Sequence, residues 1–153
     1  MFLDIIPGNI RKAENFINAL KRFGDYLKKK LKCHHVVIES PNLFLRELYK
    51  EIFLERRSLK MFHSRLVNLL NSYHISDISN FKNIITLVSL ATLASTYTTG
   101  FALIFEPFDT KTNLYDPHLY FTCLDASIAI KPIFNYFQSV IITSGVIWTK
   151  YFL

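Results

Sequence analysis

The sequence predicts a mixed α/β fold in which helices dominate and a strand, a helix and a further strand form the ending. Apolar residues recur at helical spacing through most of residues 1–100, and after Gly100 they form continuous runs instead. The chain has 153 residues, the length of one domain, and 50% of them are hydrophobic. Length and composition therefore allow a substantial buried core and argue against disorder.

The first helix has the clearest signal. Its apolar stripe begins at Ile10 and continues at spacings typical of one helical face to Leu31. A second helix is expected from Pro41 to Leu54, because Ser40 is a favoured cap residue and proline is favoured in the first turn. The inward-facing residues predicted for these two helices are Ile10, Ala13, Phe16, Ile17, Leu20, Phe23, Leu27, Leu31, Leu45, Leu48 and Ile52.

Two further helices are predicted before the pattern changes. One begins near Ser58, and the other runs from Ser79 to Thr99 and ends at Gly100, since glycine suits the left-handed position after a helix. The inward-facing residues expected for the third helix are Leu59, Phe62, Leu66, Leu69, Leu70 and Tyr73.

The ending alternates between strand and helix patterns. Strands are predicted at Phe101–Phe108 and Leu119–Leu124, then a helix at Ala126–Phe137 capped by Asp125, then an apolar strand at Ser139–Thr143. This succession indicates a βαβ unit, whose strands are parallel and covered on both faces. One such unit cannot complete a sheet, so the ending requires partner strands that the chain does not supply.

Residues 83–105 carry no charge and are long enough to cross a bilayer, so a membrane span is one interpretation of this segment. Their many Asn, Ser and Thr residues, with the cluster Ser95–Gly100 inside the supposed span, favour a buried helix followed by a buried strand. We therefore expect no membrane partner. The first six residues also lack the basic start and the apolar run of a signal peptide.

Basic charge is concentrated in the first half of the chain. Residues 1–75 hold 14 Lys and Arg against 7 Asp and Glu, whereas residues 76–153 hold 4 against 5. This asymmetry indicates an anionic partner, with nucleic acid or a membrane surface as candidates. A solvated helical surface without a partner is the alternative interpretation. Tyr26 and Tyr49 could stack on unpaired bases nearby. The candidate nucleic-acid-binding residues are Arg11, Arg22, Lys28, Lys29, Lys32, Arg56 and Arg57.

No pattern in the sequence predicts a metal site or a nucleophile. Cys33, His34 and His35 are adjacent and point in different directions, and no second pair of ligands accompanies them. The two cysteines are far apart, which argues against a disulfide framework. Cys123 is expected in an apolar strand, where a thiol would be buried and inert.

An ordered set of short motifs resembles the XPD family of DNA repair helicases, the iron-sulfur superfamily 2 enzymes of transcription factor IIH. The resemblance covers residues 5–145 and stops at Val146, where the family continues differently. Its motifs are Pro7–Arg11, Val36–Pro41, Phe44 and Leu45, Ala91–Gly100, Glu106–Asp109, Cys123–Ser127, Lys131 and Pro132, and Val140–Gly145.

The resemblance implies an architecture for each part of the chain. Residues 1–100 are similar to the later part of the helical arch domain, and residues 101–145 to the C-terminal part of motor domain one, which has a RecA-like parallel sheet. Residues 146–153 form a divergent tail. Thr143, Ser144 and Gly145 match the start of helicase motif III. The Thr and Leu-Ser-Pro that follow in the family are replaced here from Val146 onward, which suggests a frameshift, a retained intron or a broken gene model.

The resemblance also implies a function. The family comprises ATP-dependent 5′–3′ DNA helicases that act in nucleotide excision repair and transcription initiation in the nucleus. Their partners are single-stranded DNA and the other subunits of transcription factor IIH, including the kinase-anchoring subunit. Its members use ATP, Mg²⁺ and a 4Fe–4S cluster. The phosphate-binding loop, acidic box and cluster cysteines are missing from this sequence, so we expect no cofactor and no ATPase activity in these residues alone. The alternative is a non-catalytic DNA-binding or protein-docking module.

Overall fold

A computed structural model describes residues 7–75, 77–108 and 114–141, excluding the side chains of residues 7–12 and of Ala129. Helices dominate, and a small sheet accompanies them, so the mixed and mostly helical class is confirmed. The helices are α1 Pro7–Lys30, α2 Pro41–Ile52, α3 Arg56–Lys60, α4 Phe62–Ser72, α5 Lys82–Thr96 and α6 Ala126–Tyr136, and the strands are β1 Val37–Glu39, β2 Phe101–Phe108 and β3 Tyr115–Cys123.

Two helices, α2 and α6, begin where their capping residues predict. Ser40 accepts a hydrogen bond from the Leu43 amide at the start of α2, and Asp125 accepts one from the Ser127 amide at 2.9 Å. Hydrogen bonds from the Ser127 hydroxyl and, to a smaller extent, from its amide hold the pKa of Asp125 below its usual range. The third predicted helix is divided into α3 and α4 at Met61, and the fourth ends at Thr96, before the expected Gly100.

The strands form one sheet of order β1-β2-β3, and both pairings are antiparallel. The predicted parallel arrangement is therefore not found among these strands. The strand expected at Ser139–Thr143 is absent from residues 139–141, and its remainder lies outside the described residues. Strand β1 was not predicted; Val37 pairs with Phe105 and Glu39 with Leu103, so β1 covers one edge of β2.

An aromatic cluster joins α1, α2, α4 and β2 at the centre of the core. Phe23 is fully buried and packs edge-to-face against Phe44 and Phe62, with ring centroids 6.5 and 6.1 Å away. Phe44 also packs against Phe105 of β2 and Tyr26 of α1. Edge-to-face pairs of this kind add to the stabilisation that burial alone provides. The cluster therefore fixes α1, which carries the candidate binding residues Arg22, Lys28 and Lys29, on α2.

Gly100 turns the chain from α5 into β2 with a φ of +75°. Its carbonyl accepts hydrogen bonds from the amides of Leu124 and Asp125, and a Cβ here would lie 2.3 Å from Ile128 Cδ1. Replacement of Gly100 with alanine should therefore lower the free energy of unfolding by at least about 1–2 kcal/mol, measured by urea denaturation.

Gly24→Ala is the matched control for this prediction. Gly24 lies inside α1, and its nearest neighbour, Leu87 Cδ2, is 3.7 Å from where a Cβ would stand, which is ordinary contact. Alanine there should raise the stability by about 0.5–1 kcal/mol. Equal effects at the two glycines would contradict the conformation described for Gly100.

Candidate nucleic-acid interface

The basic side of α1 is joined to its neighbours by ion pairs. Lys29 Nζ lies 2.7 Å from Glu51 Oε2 of α2, and Lys30 Nζ lies 2.6 Å from Glu47 Oε2. Lys30 also donates a hydrogen bond to Glu39 of β1. These contacts neutralise both acidic residues of α2, so its remaining charged side chains are cations.

Lys30 stands at the junction of three elements and is 17% exposed. Burial disfavours its charge, but the hydrogen bonds that Lys30 donates to Glu39 and Glu47 outweigh burial, and the pKa of Lys30 lies above its ordinary value. Its ammonium also lies 5.6 Å from the ring centroid of Phe105 and 6.0 Å from that of Tyr26. Lys30 is therefore a structural cation and is not available to a ligand.

Tyr26 cannot stack on a base, contrary to the expectation from the sequence, because it is 3% exposed. Burial raises the pKa of its hydroxyl to about 12, an effect that the charge of Lys30 partly opposes. The hydroxyl finds no hydrogen-bond partner among the described residues. A buried polar group without a partner destabilises the folded state.

Replacement of Tyr26 with phenylalanine should therefore stabilise the chain by about 1 kcal/mol, because the ring packing stays and the desolvated hydroxyl is removed. The shift in the urea midpoint measures this effect. Tyr49→Phe is the control. Because Tyr49 is half exposed, removal of its hydroxyl should leave the free energy of unfolding unchanged. A loss of stability in Tyr26→Phe would show that the hydroxyl is bonded in solution.

Three of the predicted binding residues make structural contacts. Arg22 Nη1 donates to the carbonyl of Ile52 at 3.1 Å, Arg56 Nε donates to the carbonyl of Ser95 at 2.7 Å, and Lys29 binds Glu51 as described. Each of these cations joins two elements. The charge of each remains at the surface, since all three residues are exposed.

The other predicted residues differ in their availability. Lys32 and Arg57 are exposed, and no acidic group lies within 4.0 Å of either in the part of the chain that the structure describes. Lys28 is exposed, and its Nζ lies 3.8 Å from Asp25 Oδ1. An exposed ion pair of this kind contributes little to stability. The side chain of Arg11 lies outside the described residues. Lys28, Lys32 and Arg57 are thus the predicted residues that remain free for an anion.

Sequence reasoning missed an exposed face on α2 formed by Arg46, Tyr49, Lys50 and Phe53. These residues are spaced three or four apart, so they lie on one side of α2, with Phe53 directly after its last residue. The spacing could have been noticed, but the exposure of Phe53 could not, because a phenylalanine after a helix is more often buried. The expected stacking residue Tyr49 belongs to this face.

An apolar groove of about 810 Å³ lies between α1, α4 and α5. Ile17 and Ile84 both line it and remain partly exposed. The basic residues Lys21 and Lys28 and the acidic Asp25 also line it. A groove of this composition resembles those that receive the apolar face of a partner helix.

The C-terminal candidates are only partly described. Thr143, Ser144 and Gly145 lie outside the described residues. Cys123 is exposed at the end of β3 and donates to the Asp125 carbonyl at 3.2 Å, so the expectation that it is buried is wrong.

Among described residues, no His, Cys, Asp and Glu side chains group as metal ligands, and no helix is long and apolar enough to span a membrane.

Comparisons with known proteins agree on one relationship. A model of the helical and beta-bridge domain matches residues 1–100. The helicase subunit XPD of general transcription and DNA repair factor IIH from Schizosaccharomyces pombe is 46% identical over 143 residues, 93% of this chain and 18% of that protein. The XPD/RAD3 subunit of Saccharomyces cerevisiae is 45% identical over 148 residues, 96% of this chain and 19% of that protein. The Dictyostelium discoideum subunit is 46% identical, with coverage of 93% and 18%.

Proposed function

Because the chain belongs to the XPD family of helicase subunits, we propose that it acts as part of an ATP-dependent 5′–3′ DNA helicase of transcription factor IIH, in nucleotide excision repair and transcription initiation in the nucleus. Identity of 45–46% over more than nine tenths of the chain is the observation that carries this proposal. The chain spans about a fifth of the length of these curated relatives.

The part played by these residues is proposed to be contact with single-stranded DNA, without catalysis. Lys28, Lys32 and Arg57 are exposed cations without a close acidic partner, apart from the weak pairing of Lys28 with Asp25. Such side chains bind phosphates without regard to sequence. Residues 1–100 would then belong to the arch that frames the passage for the strand, and residues 101–145 to motor domain one.

The cofactors of the family do not fit the described residues. No cluster of His, Cys, Asp and Glu side chains forms a metal-binding group there, and Cys33 and Cys123 are free. The sequence also lacks the Gly-Lys-Thr or Gly-Lys-Ser loop that cradles phosphates. ATP, Mg²⁺ and the 4Fe–4S cluster would be held by other parts of the enzyme, and the 153 residues alone should show no ATPase activity.

The salt dependence of DNA binding tests this proposal. Fluorescence anisotropy of a labelled oligothymidylate with the 153-residue chain should give an affinity that falls linearly on a log–log plot as salt rises. Simultaneous replacement of Lys28, Lys32 and Arg57 with glutamine should reduce that slope, because each substitution removes a cation that would release a counterion from the strand. Absence of binding at low salt would remove the DNA role.

A second function, protein docking, is favoured by the apolar groove between α1, α4 and α5. The partner would be the kinase-anchoring subunit of transcription factor IIH, presenting the apolar face of a helix. Such pairing should tolerate salt, because burial of apolar surface drives it. Ile17→Asp, at an exposed position in the groove, should abolish it without unfolding the chain, and unchanged pairing in this variant would exclude the groove.

A further inference from the structure

The exposed face of α2 combines aromatic rings with unpaired cations. Tyr49 is 50% exposed and Phe53 is 74% exposed, and their rings pack edge-to-face with centroids 6.3 Å apart. Arg46 and Lys50 are exposed on the same side of the helix, about one turn before Tyr49 and Phe53. An aromatic pair that leaves so much of its surface in water is available to a flat ligand.

The charge of this face is positive because its acidic neighbours are occupied. Glu47 and Glu51 of α2 bind Lys30 and Lys29 of α1. No acidic group of the described residues lies within 4.0 Å of Arg46 or Lys50. Glu55 is exposed two residues after Phe53 and opposes this field in part. The surface beside the two rings therefore attracts anions.

Phe53 is held in a backbone conformation that phenylalanine disfavours. Its φ and ψ are 51° and 38°, in the left-handed region, and its amide donates to the Tyr49 carbonyl at 2.9 Å. Glycine is usual at such a position after a helix. The carbonyl of the preceding Ile52 is held by Arg22, which fixes the end of α2. A strained residue whose ring is mostly in water indicates a function for that ring.

We propose that Tyr49 and Phe53 form a stacking platform for an unpaired base of single-stranded DNA, with Arg46 and Lys50 binding the flanking phosphates. This inference rests on the proposed function and extends it to residues that the basic pattern of α1 did not indicate. Proteins that bind single strands without sequence preference usually combine aromatic rings, on which bases stack, with cations that contact the phosphate backbone. The two cations beside the ring pair favour a nucleic acid over an apolar protein segment.

Phe53→Gly in the 153-residue chain separates the two roles of this residue. Glycine relieves the left-handed backbone, so the melting temperature should rise, whereas the affinity for a labelled oligothymidylate should fall about tenfold through loss of stacking. Phe53→Trp should keep the affinity within about twofold, because indole also stacks. Phe137→Ala is the matched control: Tyr136 and Phe137 form a second exposed edge-to-face pair, with centroids 5.1 Å apart, and its loss should leave binding unchanged.

The outcomes distinguish this inference from the function on which it rests. If the unsubstituted chain binds the oligonucleotide and Phe53→Gly binds it equally well, the stacking platform is wrong and the DNA role of the basic residues remains. If the unsubstituted chain binds no oligonucleotide, both fail. If Phe53→Gly keeps its DNA affinity but loses the kinase-anchoring subunit, the face is a protein-docking surface and the inference is overturned.

Discussion

Replacement of Phe23 with alanine should lower the free energy of unfolding by about 3–5 kcal/mol. Phe23 is fully buried, and its ring packs edge-to-face against Phe44 of α2 and Phe62 of α4. The substitution therefore removes two aromatic pairs and leaves a cavity where three helices meet. A domain of this size is stable by about 5–15 kcal/mol, so a large share of the stability would be lost.

Urea denaturation followed by far-ultraviolet circular dichroism measures this loss. Phe134→Ala is the matched control, because Phe134 of α6 is 49% exposed. It should cost less than about 1 kcal/mol. If Phe23→Ala cost no more than the control, the aromatic cluster would not be the centre of the core.

Replacement of Lys30 with methionine should destabilise the chain by about 3–5 kcal/mol. Methionine keeps an unbranched apolar stem but removes the ammonium that binds both Glu39 and Glu47. Glu39 is buried, and its second carboxylate oxygen already has no hydrogen-bond partner among the described residues. Without Lys30, two carboxylates would remain close together, one of them in a poorly solvated site.

Alkaline titration tests the same cluster without a substitution. The pKa of Lys30 is raised by its carboxylate partners, and that of Tyr26 is raised to about 12 by burial. Both groups hold their protons more firmly when folded, so their contributions are complete below the unfolded pKa values of about 10 and are lost as pH rises above them.

The loss of stability of the unsubstituted chain above about pH 10 should therefore be smaller in Lys30→Met. Lys32→Met, at an exposed position beside the cluster, should behave as the unsubstituted chain at every pH. A Lys30→Met variant as stable as Lys32→Met at neutral pH would show that the three-element junction does not depend on this cation.

The sequence predicted the helices well because their patterns are local. The helix α1 and the caps at Ser40 and Asp125 are encoded within a few residues, and the structure confirms them. Phe16, Phe23 and Leu27 of the predicted apolar stripe are buried, but Ile17 is 41% exposed, so its inward orientation was wrongly predicted. Strand β1 was missed because three residues are too few to show alternation. It pairs with β2 through contacts between residues far apart in the chain, which no local pattern contains.

The pairing of the strands and the availability of the binding residues could not be predicted either, because both depend on contacts between residues far apart in the chain. The succession of strand, helix and strand predicted a parallel unit, but β1, β2 and β3 pair antiparallel. The direction in which strands pair depends on their partners in space, which a local pattern does not name. The basic charge of the first half singled out Arg22 and Lys29, but it could not show that both residues contact α2 and its end. The availability of a cation depends on its neighbours in space, and sequence spacing does not give these.

A chimera tests the central claim most directly, namely that these residues serve as a segment of a helicase subunit. Residues 7–141 of this chain would replace the equivalent segment of the S. pombe XPD subunit, to which the chain is 46% identical. The account predicts ATP-dependent unwinding of a forked DNA substrate at a rate near that of the unsubstituted subunit. A chimera that melts at the normal temperature and hydrolyses ATP, yet neither binds single strands nor unwinds DNA, would contradict it.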